Sequence, residues 1–133
     1  MPHLVILYTA NLDKDIDMSA LSRELCDTML AQRDESDEQL FPTAGTRVLA
    51  YPAPHHAVAD GQRDYGFVYL NLRMTLGRSD AVKEQVGQAL LACVKSNFDA
   101  LLARRHVGIT LQIDEGAEVF NARHSSIYPL FTQ

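Results

Sequence analysis

The second residue of the chain, Pro2, carries the strongest indication of chemistry in the sequence. Bacterial processing removes an initiator Met when the next side chain is small, and this removal would leave Pro2 with a free secondary amine. Other backbone nitrogens are amides without basicity, whereas a prolyl amine is a base held on a rigid ring. Burial and nearby cations both disfavour its protonated form and lower its pKa. The position therefore predicts a general base for proton transfer, with a Met-Pro start of no functional meaning as the simpler alternative.

Composition limits what the chain can be. Its 133 residues predict one domain over residues 1–133, and 47% hydrophobic residues suffice for a core. The net charge of -5 argues against a nucleic-acid partner, so any anion site must be built locally from a few arginines. The first apolar run is too short to span a membrane and lacks the features of a signal peptide. With Cys26 and Cys93 interpreted as reduced thiols, a cytoplasmic protein without a membrane partner is expected.

Two β-α-β units are predicted, at about residues 4–51 and 65–114, followed by an irregular tail at 115–133. The first has strands at 4–9 and 46–51 around a helix that Asp17 or Ser19 caps and that ends near Gln32. The second has strands at 65–76 and 107–114 around a helix that Ser79 caps and that ends near Arg104. The two units follow the same order and form a pseudo-repeat about 60 residues long.

Hydrophobic periodicity supports these elements. Apolar side chains alternate along the third strand, at Val68, Leu70, Leu72, Met74 and Leu76. They recur at helical spacing in the first helix, at Met18, Leu21, Leu25 and Met29. The second helix has the same pattern, at Val82, Val86, Leu90, Val94, Phe98 and Leu101. The sequence thus predicts an α+β fold, with two helices on one face of a four-stranded sheet.

The uncovered face of that sheet is predicted to bury itself in an oligomer. It carries Tyr65, Phe67 and Tyr69, and soluble monomers avoid exposed apolar patches of this size. The tail also has apolar residues, among them Phe120 and Phe131, which we expect to pack on the sheet or on a neighbouring subunit. The chain is therefore expected to form a homo-oligomer.

Four blocks of sequence, in order, resemble one enzyme family. They are Pro-His at 2–3, Phe-Pro-Thr-Ala-Gly-Thr-Arg at 41–47, Ala-Asp-Gly-Gln-Arg-Asp-Tyr at 59–65 and Gly-Arg-Ser at 77–79. Together they resemble 5-carboxymethyl-2-hydroxymuconate delta-isomerase, of the tautomerase superfamily. The similarity continues through the second helix into the last strand, so it covers nearly the whole chain. One short block alone would carry no weight; four in the family's order are specific.

The resemblance implies a tautomerase-like homotrimer with its active site around the N-terminal proline, near a subunit boundary. It implies a proton shift without cofactor or metal, on a dienol tricarboxylate from homoprotocatechuate breakdown, a branch of aromatic catabolism. The family's catalytic proline falls on Pro2, and its two substrate-binding arginines fall on Arg47 and Arg78.

The chemistry is consistent with these three positions. Ketonisation of such a dienol moves a proton from oxygen to a distant carbon, which one rigid base can do. An arginine fork binds a carboxylate through two hydrogen bonds, and a second arginine can stabilise the developing dienolate. Two guanidinium groups also keep a neighbouring prolyl nitrogen unprotonated. The sequence does not assign these two tasks between Arg47 and Arg78.

Departures from the family pattern leave two other functions open. The loop at 32–40 is longer than expected, and residues 51–56 differ from the family's usual stretch. The first alternative is a tautomerase of another acidic enol, of the phenylpyruvate type. The second is a non-catalytic oligomeric α/β binding module.

Other polar residues have simpler interpretations. His55 and His56 are adjacent, with no accompanying ligands at suitable spacing, so no metal site is predicted. Lys14, between two aspartates, is not predicted to be catalytic. Arg104 and Arg105 are interpreted as charges that suit the end of the second helix.

Overall fold

The predicted strand–helix–strand order occurs twice in the computed structural model, which describes residues 2–131. The elements, in chain order, are β1 (His3–Thr9), α1 (Met18–Leu30), β2 (Arg47–Ala53), β3 (Gly66–Thr75), α2 (Asp80–Leu102) and β4 (Val107–Gly116). Short 3-10 turns occur at Ala10–Leu12, Thr43–Gly45 and Tyr128–Leu130. The predicted α+β class is confirmed.

The four strands form one mixed sheet in the order β2-β1-β3-β4. β1 is parallel to β2 and antiparallel to β3, and β3 is parallel to β4. The strands therefore bring the beginnings of β1 and β2 to the same end of the sheet as the ends of β3 and β4. We call this the His3 end, because His3 pairs there with Arg47 on one side and Arg73 on the other.

Both helices cover one face of the sheet, and the core lies between them. The strand residues that face the helices are buried: Leu4, Ile6, Tyr8, Val68, Leu70, Leu72 and Met74. The helical stripes predicted from the sequence are buried against them, together with Cys93. Alternation and helical spacing thus identified most of the core before the fold was known.

Each helix begins where its capping residue predicts. The Asp17 carboxylate accepts a hydrogen bond from the Ala20 backbone N–H (3.0 Å), and the Ser79 hydroxyl accepts one from Val82 N–H (3.2 Å). Such caps satisfy donors that have no partner inside the helix. The helices end at Leu30 and Leu102, so each C-terminus lies two residues earlier than predicted.

The opposite face of the sheet, which we call the open face, has no helix over it. Leu7, Leu49 and Tyr51 are each about half exposed there, at 47%, 46% and 51%. Leu7 pairs with Tyr51 on β2 and with Tyr69 on β3, so the apolar side chains run across neighbouring strands. No helix within residues 2–131 has the length and apolar character needed to cross a membrane.

The structure corrects one sequence prediction and refines the interpretation of two other segments. Leu76 does not extend the buried face of β3, because the strand ends at Thr75 and Leu76 is 56% exposed. Phe41 lies in the connection just before the Thr43–Gly45 turn, and its side chain is nevertheless completely buried. The apolar residues of the tail do not pack on the sheet of their own chain: Phe120 is 87% exposed and Phe131 56%. Their packing on a neighbouring subunit stays a prediction.

Arg105 does more than supply charge at a helix end. Its guanidinium forms ion pairs with Asp15 and with Asp64, the latter at 3.0 Å, and donates a hydrogen bond to the Asn11 carbonyl oxygen (3.3 Å). Arg104 lies 3.6 Å from the Asp15 carboxylate. This network ties the segment after β1 to the end of α2, far from the His3 end.

Candidate active site

Pro2 lies at the middle of the His3 end. It immediately precedes β1, a central strand flanked by β2 and β3, and it is buried. Alternation along the strand places Pro2 on the same side as Leu4 and Ile6, which face the helices. The position predicted for the base is therefore enclosed by the fold.

Arg47 begins the strand next to Pro2. It is the first residue of β2 and pairs with His3 in the parallel ladder, where neighbouring strands lie about 4.8 Å apart. The preceding turn is held by two hydrogen bonds to the Pro42 carbonyl oxygen, from Gly45 N–H (3.1 Å) and from the Thr46 hydroxyl (2.8 Å). The Phe-Pro-Thr-Ala-Gly-Thr-Arg block thus delivers Arg47, half-buried, to the His3 end.

The electrostatics of this end favour neutral bases. The pKa of His3 is lowered, first by burial and then by the positive charge of Arg47, while Glu118 acts in the opposite direction. His3 is therefore neutral at pH 7. The same surroundings would lower the pKa of a free amine on the adjacent Pro2.

Arg78 is rigidly held on the far side of β3. Gly77 precedes it with φ of +115°, a backbone conformation that favours glycine, and this residue turns the chain between β3 and α2. The guanidinium donates hydrogen bonds to the Thr75 carbonyl oxygen (3.2 Å) and hydroxyl (3.1 Å) and to the Leu40 carbonyl oxygen (3.5 Å). It also lies 5.1 Å from the centre of the Phe41 ring, and burial lowers its pKa. Arginine retains its charge under such a shift.

The single chain does not gather the three predicted site residues into one cavity. Arg47 and His3 line a cavity of about 780 Å³ at the His3 end, which we call the main cavity. Arg78 lines a separate recess of about 340 Å³ beside Leu40 and Ser79. Pro2 is among the lining residues of neither. Arg47 and Arg78 thus lie on opposite sides of Pro2 in the strand order.

Sequence reasoning missed a large part of the main cavity. Its remaining wall comes from α1, through Arg23 and Cys26, and from the tail, through Glu118, Arg123 and other residues up to Phe131. The sole sequence signal for the tail was its apolar content, which pointed to packing and not to a cavity. Lys14 lines a different depression near Tyr8 and Asp13, away from the His3 end.

The fold belongs to the tautomerase class. A chain of the structure described as a fused 4-OT wild-type symmetric trimer matches it with a TM-score of 0.58 and 17% identity, over 91% of this chain and 93% of that chain. At that identity the likeness establishes the architecture alone.

The chain belongs to the 5-carboxymethyl-2-hydroxymuconate isomerase family, whose family model matches residues 2–131. A crystal structure of a 5-carboxymethyl-2-hydroxymuconate delta-isomerase matches with a TM-score of 0.95 and 51% identity, over 100% of this chain and 94% of that one. The 5-carboxymethyl-2-hydroxymuconate Delta-isomerase of Escherichia coli is 28% identical over 131 residues, 98% of this chain and 99% of the relative. The predicted family is confirmed, and the protein is an isomerase, which disfavours the non-catalytic binding module.

Proposed function

We propose that the enzyme ketonises an unsaturated 2-hydroxy polycarboxylate of the 5-carboxymethyl-2-hydroxymuconate type, with Pro2 as the general base. The observation that carries this proposal is the burial of Pro2 at the centre of the His3 end. Its neighbour His3 has a lowered pKa there, and Arg47 begins the adjacent strand. Removal of Met1 is part of the proposal, because Pro2 is an amide as long as Met1 precedes it.

In the proposed mechanism one nitrogen handles the proton twice. The unprotonated prolyl amine takes the proton of the 2-hydroxyl group, and electron density moves along the diene. The resulting ammonium returns the proton to a distant carbon, so the substrate becomes a ketone with no net change in atoms. A base with a pKa near the working pH is suited to both transfers.

In this proposal the two arginines interact with different negatively charged groups of the substrate. Arg47 lines the main cavity and would bind a carboxylate through its guanidinium fork. Arg78 is fixed before substrate arrives, because Thr75, Leu40 and Phe41 hold it. Such preorganisation suits stabilisation of the dienolate oxygen as charge develops. Bringing Arg78 to the reacting atoms would require the assembled oligomer, since the single chain separates the two cavities.

We further propose a homotrimer that assembles through the open face, in the cytoplasm. Leu7, Leu49 and Tyr51 offer the apolar surface, and the 4-OT structure with the same fold is described as a trimer. Cys26 and Cys93 are free thiols, as is usual in a reducing compartment.

The deciding experiment measures conversion of 5-carboxymethyl-2-hydroxymuconate by ultraviolet absorbance, with untagged protein whose intact mass shows that Met1 is absent. Pro2→Ala should reduce kcat by about 100-fold or more, the usual contribution of a general base. Its circular dichroism spectrum should stay unchanged, since Pro2 makes no ladder hydrogen bond through its nitrogen.

A matched control separates the ring from the amine. A variant with one extra residue retained before Pro2 keeps the prolyl ring but converts its nitrogen to an amide, and it should be inactive. Equal activity of the wild type and Pro2→Ala would remove Pro2 from the mechanism. A correctly processed wild type that converts phenylpyruvate enol faster than the tricarboxylate would shift the function to the other acidic enol.

A further inference from the structure

The main cavity is built from two ends of the chain. One wall contains His3 and Arg47 from the beginnings of β1 and β2. The other wall is the tail, which leaves β4 at Gly116. β4 and β2 are the opposite edges of the sheet, so the tail crosses the whole His3 end to reach Arg47. The Tyr128–Leu130 turn contacts the Thr43–Gly45 turn there, which fixes the far end of the crossing.

Positive charge is concentrated in this cavity. Among the described residues, its lining includes the cations Arg23, Arg47 and Arg123, together with His3 and His124, and one acid, Glu118. The chain as a whole has a net charge of -5, so the local excess is opposite to the general charge. Such a cleft attracts and retains anionic ligands.

The three cations differ in how they are held. Arg23 forms an exposed ion pair with Asp27 (2.7 Å), one helical turn away on α1. Arg47 is half-buried at the start of β2. Arg123 lies over the Tyr128 ring, 4.2 Å from its centre, so both residues of this stack come from the tail. Stacking occupies the face of the guanidinium group. It thereby restricts the plane in which the N–H groups of Arg123 lie.

We propose that the tail forms the specificity wall of the substrate site, and that Arg123 binds the carboxylate of the substrate farthest from the reacting enol. This inference rests on the proposed function. Arg47 lines the cavity from the strands and Arg123 lines it from the tail, so two separate cations are available for two carboxylates of one molecule. A volume of about 780 Å³ is ample for such a ligand. In the tricarboxylate, the carboxymethyl group supplies the carboxylate that Arg123 would bind.

A two-substrate comparison tests the role of Arg123. Arg123→Ala should lower kcat/KM for 5-carboxymethyl-2-hydroxymuconate by about 10- to 100-fold, the usual effect of losing a charged hydrogen bond. It should leave kcat/KM for 2-hydroxymuconate, which lacks the carboxymethyl group, within about twofold of the wild type. Arg104→Ala, which removes an exposed arginine from the other end of the molecule, is the matched control and should affect neither substrate.

A binding measurement tests the same inference without turnover. Cys26 lines the main cavity, so a ligand there should slow its alkylation by iodoacetamide. Tricarballylate, a stable tricarboxylate, should protect Cys26 in the wild type and protect it much less in Arg123→Ala. Propionate has one carboxylate and can bind to Arg47 alone, so it should protect Cys26 only weakly and to the same extent in both proteins.

The outcomes separate this inference from the proposed function. Equal losses on both substrates would show that Arg123 has only a general role, and no loss on either would exclude it from the site; both overturn the inference. Equal protection of Cys26 by tricarballylate in the two proteins overturns it as well. A wild type that binds tricarballylate through Arg123 but converts neither dienol would overturn the proposed function and leave the tricarboxylate site standing.

Discussion

Single residues at the His3 end show how the fold prepares a charge environment before any ligand binds. Arg78 is held by Thr75, Leu40 and Phe41, so little side-chain entropy remains to be lost on binding. His3 is held neutral by burial and by Arg47. A base beside these groups faces the same two effects, which is why the surroundings of Pro2 matter as much as its ring.

Cys93 provides a pH prediction at the residue scale. Burial raises the pKa of its thiol to about 11, from 9.0. Between these two pKa values the folded chain retains a thiol proton that the unfolded chain releases. The stabilisation by the protonated Cys93 thiol is therefore fully present below pH 9 and is lost as the pH rises towards 11. From pH 8 to pH 10, Cys93 should therefore cost the wild type about 1 kcal/mol of unfolding free energy.

The measurement is urea unfolding of the wild type and Cys93→Ala at both pH values. The stability advantage of the wild type should shrink by about 1 kcal/mol at pH 10. Cys26→Ala is the control for removing a cysteine thiol outside the core, because Cys26 is only half-buried. A constant difference for Cys93→Ala would contradict the prediction.

At the scale of elements, two glycines give opposite predictions. In α2, a Cβ on Gly87 would meet only Ile113 Cδ1, at an ordinary 3.5 Å, so Gly87→Ala should stabilise the protein by about 0.5–1 kcal/mol. At the start of β3, a Cβ on Gly66 would lie 2.6 Å from Cδ2 of Leu12, a side chain that is completely buried in the core. Gly66→Ala should destabilise by about 1–3 kcal/mol.

Thermal unfolding of the two variants checks both signs. Since each change adds the same methyl group, the pair controls for the general effect of replacing glycine by alanine. A lower midpoint for Gly87→Ala, or an unchanged one for Gly66→Ala, would contradict the packing of Gly87 against Ile113 or of Gly66 against Leu12.

The elements were largely predictable from sequence, because each depends on local patterns. Alternation located β3, helical spacing located the buried stripe of α2, and Ser79 marked where that helix begins. Phe41 could not be predicted to be buried, because its neighbours in sequence suggest a turn while its contacts come from distant parts of the chain. The crossing of the tail depends on strand order, which local patterns do not encode.

The candidate site was predictable to a different degree. Pro2, Arg47 and Arg78 came from motif positions, and the register of β1 with β2 explains why Arg47 lies near Pro2. Arg123 lies in a segment without regular periodicity, so no pattern pointed to it. Arg123 lines the main cavity because the tail lies close to residues of α1 and β2 that are distant from it in sequence.

At the scale of the whole molecule, the open face is an apolar surface that the fold of a single chain leaves uncovered. Leu7 lies near the middle of the open face, 47% exposed, beside Tyr51 and Tyr69. Placing a charge there would bury an unpaired carboxylate in any assembly through this face, which is strongly unfavourable. Leu7→Glu should therefore convert the proposed trimer to monomers.

Light scattering coupled to size exclusion gives the mass that checks this prediction. Leu102→Glu is the control: Leu102 is similarly exposed, at 41%, but lies at the end of α2 and away from the open face. It should leave the mass unchanged. Trimers that persist in Leu7→Glu would place the subunit interface elsewhere on the molecule.

The burial of Pro2 in a central strand also sets a time limit on maturation. Synthesis at about 5–20 residues per second takes roughly 7–27 s for the whole chain, and β3, which encloses β1 from one side, emerges only in the second half of that interval. Before β2 and β3 pair with β1, Pro2 is exposed to a processing enzyme; in the folded chain Pro2 is buried. The proposed excision of Met1 therefore competes with folding. A chain that folds first keeps its methionine and is correctly folded but catalytically inactive.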